Sequence, residues 1–202
     1  MFALIEAAGW PIWPLLIASV ISLAIIGERG WSLRGSMVAP KDLLNQVIQE
    51  YKQNGVNPQT LARLSAGSPL GQILAAGLKN VKNTPQVMKE ALDDTGRAVA
   101  HDLERFLNTL GTIASISPLL GLLGTVIGMI EIFGSQAPSG SNPIVLAHGI
   151  SVALYNTAMG LVVAIPSMIF YRHFRGRVDS LIVDMESQAV KLVEILHGER
   201  QS

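Results

Sequence analysis

The sequence predicts an all-α integral membrane protein with three transmembrane helices, two of them long and extending into the cytoplasm. Two observations carry this prediction. Charged residues make up only 15% of the 202 residues and are absent from three long stretches. Elsewhere, apolar residues recur every three or four positions, and prolines follow helix-capping residues, which indicates helices rather than strands.

The three charge-free stretches are long enough to cross a membrane. They are residues 7–27, 106–130 and 132–171, the last of which contains His148 but no Lys, Arg, Asp or Glu. A helix needs roughly 20 apolar residues to span the hydrocarbon. We therefore predict transmembrane helices near residues 11–27, 110–133 and 146–171.

The basic residues predict the orientation of these spans. Ten lie between the first and second spans, five follow the third, and none lies elsewhere. Because Lys and Arg are in excess on the cytoplasmic side, the N-terminus and the loop at 134–142 are expected outside and the C-terminus inside. The expected organisation is an outward-facing N-terminus and first transmembrane helix in 1–27, a cytoplasmic helical segment in 28–105, a hairpin of the second and third transmembrane helices in 106–171 and a cytoplasmic C-terminal helix in 172–202.

Prolines mark the expected helix starts. Short helices should begin at Pro58 and Pro69, because each follows a residue that can cap a helix. A long helix is predicted over 85–133, since Thr84 precedes Pro85 and the apolar spacing continues into the second span. Another is predicted from Pro143 past Tyr171. Its apolar stripe in the tail is interpreted as ordinary packing between helices.

Composition argues against several classes of function. With 15 basic and 15 acidic residues, no basic surface for nucleic acid is expected. The chain has no Cys and four widely separated His residues, so a metal site is not expected. It contains neither a phosphate-binding loop nor a dinucleotide fingerprint. We expect a protein that is not an enzyme and needs no cofactor.

Small residues share one face in each of the two later spans, and such residues permit close approach of membrane helices. The faces could pack span two on span three within one chain. We favour oligomerisation around a shared axis, because two whole faces exceed what one hairpin contact needs. The residues predicted to pack helices in the pore are Gly121, Gly124, Gly128, Ala153 and Gly160.

Thr125 and Thr157 are the polar members of these faces. Each could simply bond a carbonyl of its own helix, but on matching faces they suggest a polar lining, to which Asn156 and Pro118 are also assigned. No ionisable group accompanies them at mid-membrane depth, although proton pathways normally need one. Either the chain moves no protons, or a partner supplies a carboxylate.

The densest motifs of the chain lie in these two spans. The run SPLLGLLGTVIGMI at 117–130, with Gly149-Ile150 and TAMGLVVAIP at 157–166, resembles the MotA/TolQ/ExbB proton channel family. The first span and its exit look similar to the shorter ExbB-type members. By position, Thr125 and Thr157 match the pore threonines of the family. One departure is Val152, where many ExbB proteins have glutamate.

The resemblance implies a multi-pass protein of the bacterial inner membrane that forms a homopentamer. Its pore would enclose the single membrane helices of two ExbD/TolR-like subunits, which bring the missing aspartate. With a TonB-like protein, such a motor uses the proton gradient to energise TonB-dependent transport across the outer membrane. The alternatives are a TolQ-like role in envelope maintenance and a non-conducting membrane scaffold.

Overall fold

A computed structural model describes residues 9–134 and 143–198, apart from the side chains of residues 143, 145, 146, 148 and 152. The described residues form eight α-helices and no β-strand, which confirms the all-α prediction. The helices are α1 (Ile12–Ser32), α2 (Gly35–Val38), α3 (Leu43–Asn54), α4 (Pro58–Gly67), α5 (Pro69–Lys79), α6 (Pro85–Glu104), α7 (Leu107–Gly134) and α8 (Pro143–Leu196).

Three of the described stretches are long and apolar enough to cross a membrane. They lie within Ile12–Ser32, Pro85–Gly134 and Gly149–Leu196, which confirms the three predicted spans. Trp10, Trp13 and Trp31 are exposed at the two ends of α1, as suits aromatic anchors at a membrane surface. Most of the loop predicted to face outward, residues 135–142, lies outside the described residues.

The predicted helix starts are confirmed where the structure describes them. The side-chain oxygens of Asn57, Ser68 and Thr84 accept hydrogen bonds from backbone N–H groups in the first turns of α4, α5 and α6. Each cap satisfies a donor that has no partner inside the helix. Asn142, the capping residue expected before α8, lies outside the described residues.

The helix predicted over 85–133 is interrupted. It ends at Glu104 and resumes at Leu107, because Phe106 has a φ of 63°. That left-handed backbone conformation is unfavourable for a bulky residue and breaks the series of helical hydrogen bonds. Apolar spacing runs unchanged through this position and gives no warning of the break.

The chain divides into two compact units. The first comprises Met1–Glu28 and Phe106–His173, and the second comprises Arg29–Arg105 and Phe174–Ser202. Within the first unit, the hydroxyl oxygens of Ser22 in α1 and Ser167 in α8 lie 2.6 Å apart, and both residues are buried. This hydrogen bond joins the first span to the third.

The second unit has an apolar core formed by α5, α6 and the end of α8. A methyl group at Gly77 would lie 3.0 Å from the side chains of both Leu92 and Leu192, so the three helices meet closely there. Most of the apolar tail stripe is buried: its buried members are Val178, Leu181, Met185 and Leu192. The stripe packs between helices, as interpreted from the sequence.

The second unit also contains a polar contact between α3 and α4. Thr60 Oγ1 donates a hydrogen bond of 2.7 Å to Glu50 Oε1, and Arg63 forms an ion pair with Oε2 of the same carboxylate. The hydrogen bond from Thr60 and then the charge of Arg63 lower the pKa of Glu50 below its ordinary value of 4.5, against an opposing effect of desolvation.

This lowered pKa predicts a pH-dependent stability. Because the folded carboxylate loses its charge at a lower pH than the unfolded one, the ionised Glu50 contributes to the stability of the folded state. This contribution is complete above pH 4.5 and is lost as pH falls through the lowered pKa. We expect Thr60→Val to lower the melting temperature at neutral pH and to have less effect at about pH 3. Thermal unfolding in detergent measures this, with Ser65→Ala on the same helix as the control. An equal effect of Thr60→Val at both pH values would contradict the assignment.

Candidate functional site

The second and third spans form a helical hairpin whose backbones touch. A methyl group at Gly121 would lie 2.7 Å from the carbonyl oxygen of Asn156 and 2.9 Å from the Cα atom of Thr157. One at Gly160 would lie 2.6 Å from the carbonyl oxygen of Ser117. Because backbone atoms cannot move aside as a flexible side chain can, both positions require glycine.

The contact continues toward the C-terminal end of α7. A methyl group at Gly124 would lie 2.7 Å from Cβ and 3.0 Å from Nδ2 of Asn156, and one at Gly128 would lie 3.2 Å from Cβ of Ala153. Asn156 is 1% exposed, so it fills the space left by the glycines.

The structure therefore places all five residues predicted to pack helices in the pore within the contact of one chain. Gly121, Gly124 and Gly128 line one side of it, and Ala153 and Gly160 line the other. This is the packing of span two on span three that the sequence left open as the alternative. Contacts between copies of the chain would have to use other faces of these helices.

Thr125 and Thr157 lie at the edge of this contact, and both are half-buried. The Thr125 hydroxyl donates a 2.7 Å hydrogen bond to the carbonyl of Leu122, three residues earlier in its own helix. This is the local bond expected of a threonine in a membrane helix. Since the proton is used inside the helix, the oxygen presents lone pairs to its surroundings.

The other two residues of the predicted lining differ from each other. Asn156 lies in the centre of the hairpin contact rather than at its edge. Pro118 is half-buried inside α7. A proline has no N–H, so the Ala114 carbonyl lacks its usual partner four residues later.

Several polar residues of the first unit were not singled out from the sequence. The exposed hydroxyls of Thr112, Ser115 and Ser151 each donate to a carbonyl four residues earlier. The bond between Ser22 and Ser167 was also missed, although a serine amid apolar residues in a span is a signal for an interhelical bond.

At its centre, this hairpin offers only hydroxyl and amide groups for polar chemistry. Between Phe106 and Tyr171 the sequence has one charged residue, Glu131, which is exposed near the C-terminal end of α7. Among the described residues, no three His, Asp or Glu side chains lie close enough together to hold a metal ion. The hairpin can pack, orient water and accept hydrogen bonds, but it carries no ionisable relay at its centre.

The fold and the hairpin define a helical membrane protein with three candidate spans and a glycine-packed contact between the second and the third. The chain belongs to the MotA/TolQ/ExbB proton channel family, whose model matches residues 65–187. That range covers α5, α6, α7 and most of α8, including the whole described hairpin contact.

Curated relatives carry two kinds of name. The putative biopolymer transport protein ExbB-like 3 of Synechocystis is 35% identical over 81% of this chain and 79% of its own length. The biopolymer transport protein exbB1 of Vibrio cholerae is 34% identical over 81% of this chain and 74% of its own. The Tol-Pal system protein TolQ of Pseudomonas aeruginosa is 32% identical over 91% of this chain and 84% of its own. The chain is thus similar to both ExbB-named and TolQ-named proteins.

Proposed function

We propose that this chain is the ExbB-like subunit of an inner-membrane motor driven by the proton-motive force. With an ExbD/TolR-like partner of one span, it energises TonB-dependent transport across the outer membrane. The observation that carries this proposal is the position of Thr125 and Thr157 at the edge of a closely packed hairpin whose centre lacks an ionisable group.

Helical geometry supports a shared polar lining by the two threonines. At about 100° per residue, Thr125 lies about 40° around α7 from Gly121, and Thr157 lies about 60° around α8 from Gly160. Both rotations have the same sense when each helix is viewed along its own direction. Because the two helices run antiparallel, these rotations turn both side chains toward the same edge of the hairpin. Gly121 faces Thr157, and Thr125 is about 6 Å further along the axis.

A partner carboxylate is needed because the hairpin has no proton relay. A potential of 100 mV is worth about 2.3 kcal/mol for a unit charge, whereas a charge at the bilayer centre costs about 2.5–3.5 kcal/mol even on the most lenient scale. The gradient alone cannot overcome that barrier. An aspartate on the partner helix, facing Thr125 and Thr157, would supply the missing group.

The outward faces of the hairpin support assembly with other copies. Large apolar side chains are exposed along both spans: Leu119, Leu122, Val126 and Ile130 on α7, and Leu154, Leu161, Val162 and Ile165 on α8. These faces contact lipid or neighbouring subunits. In the proposed arrangement, five copies surround two partner helices, with the N-terminus periplasmic and the C-terminus cytoplasmic.

A TolQ-like role is the second candidate, since the TolQ of Pseudomonas aeruginosa aligns with 91% of this chain. Deleting the gene in its host separates the two roles. We expect energy-dependent uptake through the outer membrane to fall while resistance to detergents, a measure of envelope integrity, is retained. Restoring the gene on a plasmid is the control. Detergent sensitivity with normal uptake would contradict the ExbB-like role in favour of the TolQ-like one.

A further inference from the structure

A pocket lies in the second unit between the segment that follows α1 and the middle of α8. Its volume is about 620 Å³. Two cationic side chains, Lys41 and Arg177, line it, together with Ser36, Ser180 and Asp184. Two cations against one carboxylate leave the pocket with a net positive charge.

Arg177 is exposed at the wall of this pocket and lies beside Gly35. A methyl group at Gly35 would lie 3.1 Å from Nη2 of Arg177, so the absence of a side chain at Gly35 leaves room for the guanidinium. A guanidinium presents a planar fork of N–H donors that matches the oxygens of a phosphate, and Lys41 adds a point charge.

The polar neighbours of the two cations differ in what they can offer an anion. The Ser180 hydroxyl already donates to the carbonyl of Gly176 at 2.9 Å. Asp184 accepts a hydrogen bond of 3.2 Å from Gln188, which occupies part of its carboxylate. Ser36 is exposed and has a hydroxyl proton to donate. The donors that face an anion are therefore Arg177, Lys41 and Ser36.

The segment that enters the pocket begins at the end of the first span. Trp31, near the end of α1, is 60% exposed, and the guanidinium carbon of Arg34 lies 4.3 Å from the centre of its ring. Exposed tryptophan and arginine at the end of a span are typical of the headgroup level of a membrane. Gly35 and Ser36 line the pocket and follow within four residues of Ser32, the last residue of α1, which places this wall of the pocket near that level.

We infer that this pocket binds the phosphate of an anionic phospholipid headgroup of the inner leaflet. The inference rests on the proposed orientation, in which this end of α1 is cytoplasmic. Basic pockets beside the cytoplasmic ends of membrane helices are suited to anionic headgroups. Such a lipid would tie the segment after the first span to α8.

Native mass spectrometry of the full chain in detergent, with phosphatidylglycerol or phosphatidylcholine added, tests this inference. We expect selective binding of phosphatidylglycerol, weakened about tenfold or more in Lys41→Gln/Arg177→Gln. Arg177→Lys, which keeps the charge but loses the fork, should bind with intermediate affinity. The matched control is Lys52→Gln/Arg97→Gln, which removes the same charge from exposed positions outside the pocket. Equal losses in the control, or equal binding of both lipids, would overturn the inference.

Two further experiments test the identity of the ligand and the side of the membrane on which it binds. Inorganic phosphate at the same concentration should not displace the lipid; displacement would mean that the pocket takes free phosphate and would overturn the lipid assignment. The chain has no Cys, so Ser36→Cys can be labelled from either side of a membrane vesicle. Labelling from the periplasmic side would overturn the inner-leaflet assignment. Neither readout involves proton flux, so failure here is distinguishable from failure of the motor function.

Discussion

Replacing Gly121 by alanine is expected to destabilise the first unit by about 1–3 kcal/mol, because overpacking a tight contact forces the structure to shift. The new methyl group would lie 2.7 Å from the carbonyl oxygen of Asn156 and 2.9 Å from Cα of Thr157. Both neighbours are backbone atoms, so the two helices would have to separate. Thermal unfolding in detergent, followed by circular dichroism, measures the loss.

Gly134→Ala is the matched control, since Gly134 lies in the same helix and a methyl group there meets nothing within 4 Å. We expect this variant to keep the stability of the wild type. If Gly121→Ala and Gly134→Ala were equally stable, the backbone contact between the two spans would be absent from the protein in solution.

Removing the hydroxyl of either Thr125 or Thr157 with valine is expected to lower proton flux through the assembled complex about two- to tenfold. This range corresponds to losing one hydrogen bond donated to the threonine oxygen by a protonated partner carboxyl group or a water, worth about 0.5–1.5 kcal/mol. Valine keeps the shape of threonine, so assembly should survive. Dye-reported proton flux in liposomes containing the chain and its partner is the measurement.

Thr112→Val is the control for this pair. The Thr112 hydroxyl is exposed, and like that of Thr125 it donates to a carbonyl of its own helix, here that of Asn108 at 2.8 Å. By helical geometry it lies on the face of α7 opposite the hairpin contact. A normal proton flux in both Thr125→Val and Thr157→Val would mean that these threonines have only a structural role.

The elements that the sequence predicts well are those with local causes. A capping side chain before a proline acts within one turn, which is why Asn57, Ser68 and Thr84 were found correctly. The spans follow from the absence of charge, which the hydrocarbon imposes on each residue independently of its neighbours. Neither prediction requires knowledge of what the helices touch.

The parts that could not be predicted depend on contacts between distant residues. The left-handed Phe106 has no glycine or asparagine to signal it. Small-residue faces look the same whether they pack within a chain or between chains, and the hairpin contact accounts for five of the residues assigned to the pore. Asn156 was placed among the pore residues because it is polar, whereas its burial results from glycines on the opposite helix.

The most direct test of the proposed mechanism is the decay of a pH gradient across proteoliposomes. Three preparations are compared: this chain alone, the chain with its one-span partner, and the chain with a partner whose membrane aspartate is replaced by asparagine. We expect the gradient to decay rapidly only in the second, because the hairpin lacks an ionisable relay of its own. Steady proton conduction by the chain alone, or undiminished conduction with the asparagine partner, would contradict the mechanism.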